Sequence, residues 1–278
     1  MSPHLAGKVI LVTGAASGFG RLIARKCAAG GADVVGVDVD DAGLDELVGT
    51  IRAAGGSAHG CRTDVTDIAQ FRSAVAEAVA TFGALDVLVN NAGVMPLAYF
   101  ADHERAWQRW HQAIDINLKG VVNGISAVYD QMIGQGRGHV VNISSIYGNG
   151  GIAGAGVYSA TKAAVVALSD ALRVEAQGAI KVSTVKPTGV LGTNLAAGVV
   201  NEAAIMDLAG QNGAKFAENL GNYFTGSLRP EQADVDSVQY WVITPDELAD
   251  AVVAVIDQPW GITISDITVR ATGENYVR

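Results

Sequence analysis

The chain has 278 residues, 49% hydrophobic and 17% charged, with a formal net charge of −9. This length supports one large core, and an acidic balance without a basic stripe excludes a nucleic-acid partner. No apolar run approaches the ~20 residues of a membrane-spanning helix, and two cysteines (Cys27, Cys61) with five scattered histidines suit neither a disulfide framework nor a metal site.

The N-terminal stretch MSPHLAGK has no basic region leading into an apolar one, as expected of a cytoplasmic protein. Lys8–Val12 (KVILV) is apolar and β-branched and reads as a buried strand. It runs into Thr13-Gly14-Ala15-Ala16-Ser17-Gly18-Phe19-Gly20 and then a helical pattern over Arg21–Ala29. A strand, a glycine-rich turn and a helix start can hold phosphate. The glycines let backbone N–H groups approach a pyrophosphate, and the helix N-terminus adds partial positive charge. The same turn can also be purely structural, and the next strand, Asp33–Val37, separates the two readings. Asp38 stands at its end, about 20 residues past the turn, where an acid hydrogen-bonds an adenosine ribose. Asp40 and Asp41 follow, and Ser17 and Val39 occupy the places where a 2′-phosphate calls for Arg or Lys. This window points to NAD.

Further strands are expected at Ser57–Cys61, Val87–Asn90, His139–Ile143, Lys181–Val185 and Thr263–Val269, seven in all. Helical patterns lie between them, among them Ala69–Phe82, Trp107–Met132 and Tyr158–Gln177. This alternation predicts an α/β fold with a doubly wound parallel sheet of the Rossmann type, and residues 1–278 as one dinucleotide-binding catalytic domain.

On the helix that begins near Tyr158, Lys162 lies one turn further on, so its ammonium can sit beside the phenol. A free phenol titrates near pH ~10. A neighbouring cation lowers that value toward the range where the group can exchange a proton with an alcohol. Ser145, thirteen residues upstream, offers a hydroxyl to hold the substrate oxygen. Tyr-x-x-x-Lys by itself is as readily a solvated helix face, so its meaning comes from the rest of the chain.

Together these features resemble the short-chain dehydrogenase/reductase family, from about Lys8 to about Pro187 and more loosely beyond. The family's glycine motif matches Thr13, Gly14, Gly18 and Gly20, with Ser17 and Phe19 in the same turn. Its Asn-Asn-Ala-Gly motif matches Asn90 to Gly93, which implies that Asn91, Ala92 and Gly93 line the cofactor. Its Asp-Val pair matches Asp64 and Val65, implying adenine contacts. The resemblance further implies a catalytic set of Asn117, Ser145, Tyr158 and Lys162, the last two also touching the cofactor. In that scheme Tyr158 is the base, Lys162 holds the phenolate and the nicotinamide ribose, and Asn117 holds a water. The pattern departs at one place. Where the family shows Pro-Gly, this chain has Pro187-Thr188-Gly189, with one extra residue before Thr193. Gly189, Val190 and Thr193 are therefore expected to hold the nicotinamide carboxamide, with Pro187 also among the cofactor-binding residues. The family is mostly dimeric or tetrameric, so a homotetramer is expected.

Residues 191–242 mix apolar side chains such as Leu195, Phe216 and Tyr223 with several glycines. A mobile lid over the substrate and a subunit contact both fit this composition. Lys215 and Arg229 are its only basic residues, which leaves little to bind a phosphate or carboxylate. With Met95, Tyr147 and Leu195 beside Ser145 and Tyr158 as substrate contacts, the expected substrate is an uncharged, hydrophobic secondary alcohol or ketone. An NADPH-dependent biosynthetic ketoreductase and a non-catalytic NAD-binding sensor are the alternatives.

Overall fold

The computed structural model describes residues 3–277, so Met1 and Ser2 of the N-terminal stretch lie outside the described residues. Its strands are β1 (Val9–Thr13), β2 (Asp33–Asp38), β3 (Ser57–Arg62), β4 (Val87–Asn90), β5 (Gly138–Ile143), β6 (Ile180–Pro187) and β7 (Asp266–Val269). They pair in parallel in the order β3-β2-β1-β4-β5-β6-β7. β1, β4 and β5 are buried along their whole lengths, as a parallel sheet covered on both faces requires.

The helices are α1 (Gly18–Ala29), α2 (Asp41–Ala53), α3 (Ile68–Phe82), α4 (His103–Ala113), α5 (Gly120–Gln135), α6 (Gly156–Glu175), α7 (Ala203–Asp207), α8 (Gly213–Thr225), α9 (Pro230–Ala233) and α10 (Pro245–Ile256). Ile23, Leu44, Leu47, Leu248 and Val252 bring α1, α2 and α10 onto one face of the sheet. Phe71, Val128, Met132 and Leu172 bring α3, α5 and α6 onto the other. Local chemistry sets the ends. Asp67 accepts from the N–H groups of Ala69 and Gln70 to start α3, and Gly83, at φ +84°, ends it. Thr244 and Glu247 form a capping box around Pro245 at the start of α10. No helix among the described residues is long and apolar enough to cross a membrane.

Two expectations need adjustment. The helix expected over Trp107–Met132 is two helices, α4 and α5, joined by a π-helical turn at Ile114–Lys119. Asn117 is fully buried in that wide turn, and Gly120 follows with no room for a side chain, since a Cβ would lie 2.9 Å from Val65 Cγ2. β7 is shorter than expected, because only Asp266–Val269 pairs with β6 at the open edge of the sheet. Residues 191–242 hold α7, α8 and α9, and Phe216 and Trp241 are buried against each other. Cys27 and Cys61 are both buried free thiols. Tertiary packing brings His59 and Glu77 beside Cys61, with donor atoms all within 4.8 Å, a grouping that no spacing in the chain reveals.

His139 of β5 is completely buried, with Nε2 2.8 Å from Ser183 Oγ and Nδ1 without a partner among the described residues. Burial, helped by Lys181 and Lys8, lowers its pKa from 6.5 to about 3. The unfolded chain therefore binds the extra proton between those values, and stability falls as pH drops from about 6.5 toward 3. The slope contributed by one such group is up to ~1.4 kcal/mol per pH unit. Urea unfolding of His139→Gln should accordingly lose about 2 kcal/mol less than the wild type between pH 7 and pH 5. Equal losses would place the acid sensitivity elsewhere.

Candidate active site

The order of strands reverses between β1 and β4, which makes the carboxyl ends of those strands the place where an open α/β sheet leaves a crevice. A cleft of about 420 Å3 lies there. Gly14, Ser17, Gly18, Phe19, Gly20, Asp38, Asp64, Val65, Asn91, Ala92, Gly93, Thr193 and Leu195 all line it. Gly14 and Gly18 sit at φ +67° and +54°, and a Cβ on Gly20 would lie 2.2 Å from the Gly14 carbonyl oxygen. Only glycine allows this turn. Ser17 does not cap α1 with its side chain, so the first N–H groups of that helix remain available to an anion. A dinucleotide pyrophosphate fits this cradle.

Asp38 ends β2 with its carboxylate fixed by backbone donors: Ala16 N at 3.0 Å, Val39 N at 2.8 Å and Asp40 N at 3.2 Å. A carboxylate has about four acceptor sites, so one stays open for a hydroxyl. Thr13 and Asn91 join the two sides of the cleft. The Thr13 hydroxyl accepts from the N–H groups of Asn91 and Ala92, both at 2.9 Å, and Asn91 Nδ2 donates to the Thr13 carbonyl at 2.8 Å. The sheet also places Arg62, the β3 partner of Asp38, near this acid, with its guanidinium 3.4 Å from Asp41.

Ser145, Tyr158, Lys162 and Asn117 converge behind the cleft and are all buried. Ser145 stands where β5 turns into a short 3-10 helix and hydrogen-bonds the Tyr158 phenol. Lys162 Nζ donates to the Ile143 carbonyl at 2.9 Å and lies 5.9 Å from the Tyr158 ring centroid. Asn117 bridges the loop after β4: its Oδ1 accepts from Val94 N at 2.9 Å and its Nδ2 donates to Val94 O at 2.8 Å. The same Nδ2 is 3.3 Å from Thr161 Oγ1, which links the π turn to α6.

The electrostatics differ from the sequence expectation. Burial raises the Tyr158 phenol to about 12, opposed by its hydrogen bond from Ser145. Burial lowers Lys162 to about 8. In the protein alone, desolvation outweighs the attraction between ammonium and phenolate, because Nζ is committed to a backbone carbonyl and stands off the ring.

The nicotinamide loop is where residues separate. Thr193 lines the cleft, whereas Pro187, Gly189 and Val190 are absent from its walls among the described residues. Val190 pairs with Ile243, and Gly189 lies beneath Tyr276. Met95 is also off the cleft; its backbone packs on Gly198, between Val94 and Pro96, which do line it. Tyr147 packs with Tyr158, Leu97 and Leu208 and donates to the Leu208 carbonyl at 3.2 Å. Sequence reasoning passed over Thr63, Arg109, Gln112 and Ile116 as cleft residues. Arg109, Gln112 and Ile116 recur every three or four positions before Asn117, and that spacing was the available signal.

A family model described as short chain dehydrogenase matches residues 8–204. The chain is 34% identical over 272 residues to the uncharacterized oxidoreductase Lin0452 of Listeria innocua, covering 98% of this chain and 99% of that one. It is 39% identical over 191 residues to the 2,5-dichloro-2,5-cyclohexadiene-1,4-diol dehydrogenase LinX of Sphingobium indicum, covering 68% and 76%. A solved metagenomic short-chain oxidoreductase in complex with NADP superposes with a TM-score of 0.72 at 28% identity, covering 99% of this chain and 100% of that one. The chain belongs to the short-chain dehydrogenase/reductase family of oxidoreductases.

Proposed function

We propose that this protein is an NAD(H)-dependent oxidoreductase that interconverts an uncharged, hydrophobic secondary alcohol and its ketone. The observation that carries the reading is the buried cluster of Ser145, Tyr158, Lys162 and Asn117 directly behind a glycine-lined cleft. The diol dehydrogenase activity named for the Sphingobium relative agrees with alcohol chemistry. Gly14, Gly18, Phe19, Gly20, Asn91, Ala92 and Gly93 would hold the cofactor, with Asp64 and Val65 at its adenine end and Thr193 across the cleft. NAD, when bound, supplies a hydride acceptor for the carbinol carbon. Tyr158 takes the hydroxyl proton in oxidation and returns it in reduction. Ser145 holds the substrate oxygen and stabilises charge on it. Lys162 keeps a cation near the phenolate, and Asn117 fixes the Val94 backbone beside the site. A screen of secondary alcohols and ketones with both nicotinamide cofactors tests the activity. Cofactor binding with no turnover on any of them would favour the sensor reading instead.

Tyr158→Phe should fold and bind cofactor, yet lose more than tenfold in kcat, which is at least ~1.4 kcal/mol of barrier. Because the phenol of the protein alone titrates near 12, each step toward alkaline pH raises the fraction of base. Oxidation kcat/KM should therefore climb between pH 7 and pH 10, while reduction, which needs the protonated phenol, should not. A variant with wild-type kcat, or a flat oxidation profile, removes Tyr158 from the role.

Cofactor choice rests on Asp38. Its carboxylate accepts from ribose hydroxyls and repels a 2′-phosphate, and charge-assisted hydrogen bonds contribute roughly 1.5–3 kcal/mol. Arg62, the β3 partner of Asp38 and a cation suited to a phosphate, faces Asp41. Arg62 and the NADP named for the metagenomic neighbour are what favour the second reading, an NADP enzyme. NAD should be preferred at least about a hundredfold in kcat/KM, at ~1.4 kcal/mol per tenfold. Replacing Asp38 by Ser and Val39 by Arg should erode or reverse that ratio. Equal use of both cofactors by the wild type would refute the assignment.

The assembly is proposed to be a homotetramer. Val122 and Ile133 on α5 and Val174 on α6 are exposed apolar side chains, at 41%, 40% and 75%, on helices long enough to pack against symmetry mates. Light scattering at micromolar concentration should give a mass near four chains; a monomer would reject this.

A further inference from the structure

The departure at Pro187-Thr188-Gly189 has a partner at the other end of the chain. After β7, residues 270–277 fold back over this loop. The Thr188 hydroxyl donates to Glu274, whose side chain is 4% exposed and also pairs with Arg270. Gly273 N donates to the Tyr240 carbonyl at 2.8 Å, and a Cβ at Gly273 would lie 2.4 Å from the Gln239 carbonyl oxygen. Asn275 is buried and fastens the tail to the lid. Its side-chain oxygen accepts from Asn219 Nδ2 at 3.0 Å and Trp241 Nε1 at 2.8 Å, and its carbonyl accepts from Asn212 Nδ2 at 3.1 Å. Gln232 completes the set by donating to Asn219 Oδ1 at 3.1 Å.

These anchors fix the place of Tyr276. A Cβ on Gly189 would lie 1.8 Å from the Tyr276 hydroxyl oxygen, so any residue but glycine there displaces the ring. The ring meets Tyr147 edge-on with centroids 6.4 Å apart and packs on Phe216 of α8 at 5.3 Å. Tyr147 and Tyr276 belong to the apolar cluster that contains Tyr158, together with Ala204 and Leu208 of the lid. No hydrogen bond holds the Tyr276 hydroxyl among the described residues, so its position comes from packing and from the tail on either side.

We propose that the C-terminal tail is a wall of the substrate site and that Tyr276 is the side chain that limits substrate size there. Thr188 and Gly189 are then the matched other half of the device: one tethers the tail, the other makes room for the ring. This rests on the alcohol dehydrogenase reading and narrows it. Tyr147, Leu208 and Tyr276 pack in the same cluster as Tyr158, with Phe216 against the far side of the Tyr276 ring, so a substrate that reaches Tyr158 from this side meets rings that favour compact apolar alcohols and ketones over extended ones.

The test measures kcat/KM over secondary alcohols of increasing size, from 2-butanol to 1-phenylethanol and a bicyclic alcohol, for the wild type, Tyr276→Ala, Tyr276→Leu and Tyr276→Phe. Ala, and to a lesser degree Leu, should raise the ratio of bulky to small substrates at least tenfold. Phe keeps the ring and should keep the wild-type order. NADH affinity, followed by fluorescence, should stay within threefold in all three. An equal loss on every substrate, an unchanged ratio, or a lost NADH affinity in place of altered selectivity would overturn the assignment. If the wild type turns over none of the alcohols, the dehydrogenase reading falls by itself. The tail is then judged by ligand-observed NMR with the matching ketones, where the bicyclic ketone must bind Tyr276→Ala at least tenfold tighter than wild type, and equal affinities reject the proposal.

Discussion

The site depends on a buried ammonium. Lys162 sits on α6 beneath the end of β5, where desolvation costs an unpaired charge several kcal/mol. The Ile143 carbonyl accepts from its Nζ, and the hydroxyl of the neighbouring Ser144 donates to the Lys162 carbonyl, so helix and strand hold each other at the same residue. A Cβ at Gly148 would lie 2.9 Å from the Lys162 backbone, which lets the turn after Ser145 close over that junction. Tyr158 and Ser145 take their relation from this contact. The distance of the ammonium from the phenol also explains why burial, and not the cation, dominates both titrations in the protein alone.

Around this point the carboxyl end of the sheet is tied by polar side chains where hydrophobic packing alone would leave strands free to slide. Asn90 Nδ2 donates to Asn142 Oδ1 at 2.9 Å, and Asn142 Nδ2 donates to Ser169 Oγ at 2.9 Å, linking β4, β5 and α6. Thr13 and Asn91 do the same for β1 and β4, and Asn117 ties the π turn to the next loop. Each member is satisfied, which is the condition under which a buried polar network adds rigidity without a desolvation penalty. At the opposite end of the sheet His139 keeps one ring nitrogen on Ser183 Oγ, while the second has no partner among the described residues.

Residues 191–242 and the tail follow a different logic. α7, α8 and α9 are short or half-exposed, and they are fixed through Ala204, Leu208, Phe216 and Trp241 by packing and through Asp207, Asn219 and Gln232 by hydrogen bonds to Tyr99, to Asn275 and to each other.

The sequence by itself determined the sheet, the glycine turn, the position of Asp38 and the spacing of Ser145, Tyr158 and Lys162. These are local matters of strand periodicity, positive-φ glycines and the turn of a helix, and all lie within short windows. It also exposed Thr188 as unusual without saying why, since the cause is Glu274, distant in the chain and adjacent only in the fold. The break in the helix at Ile114–Lys119 was likewise invisible, because it depends on Val94 and Val65 meeting Asn117 and Gly120. Arg62 beside Asp38 required the pairing of β2 with β3. Only the tertiary structure decided the titration of Tyr158, for a spacing can place a cation near a phenol, but burial sets which influence prevails.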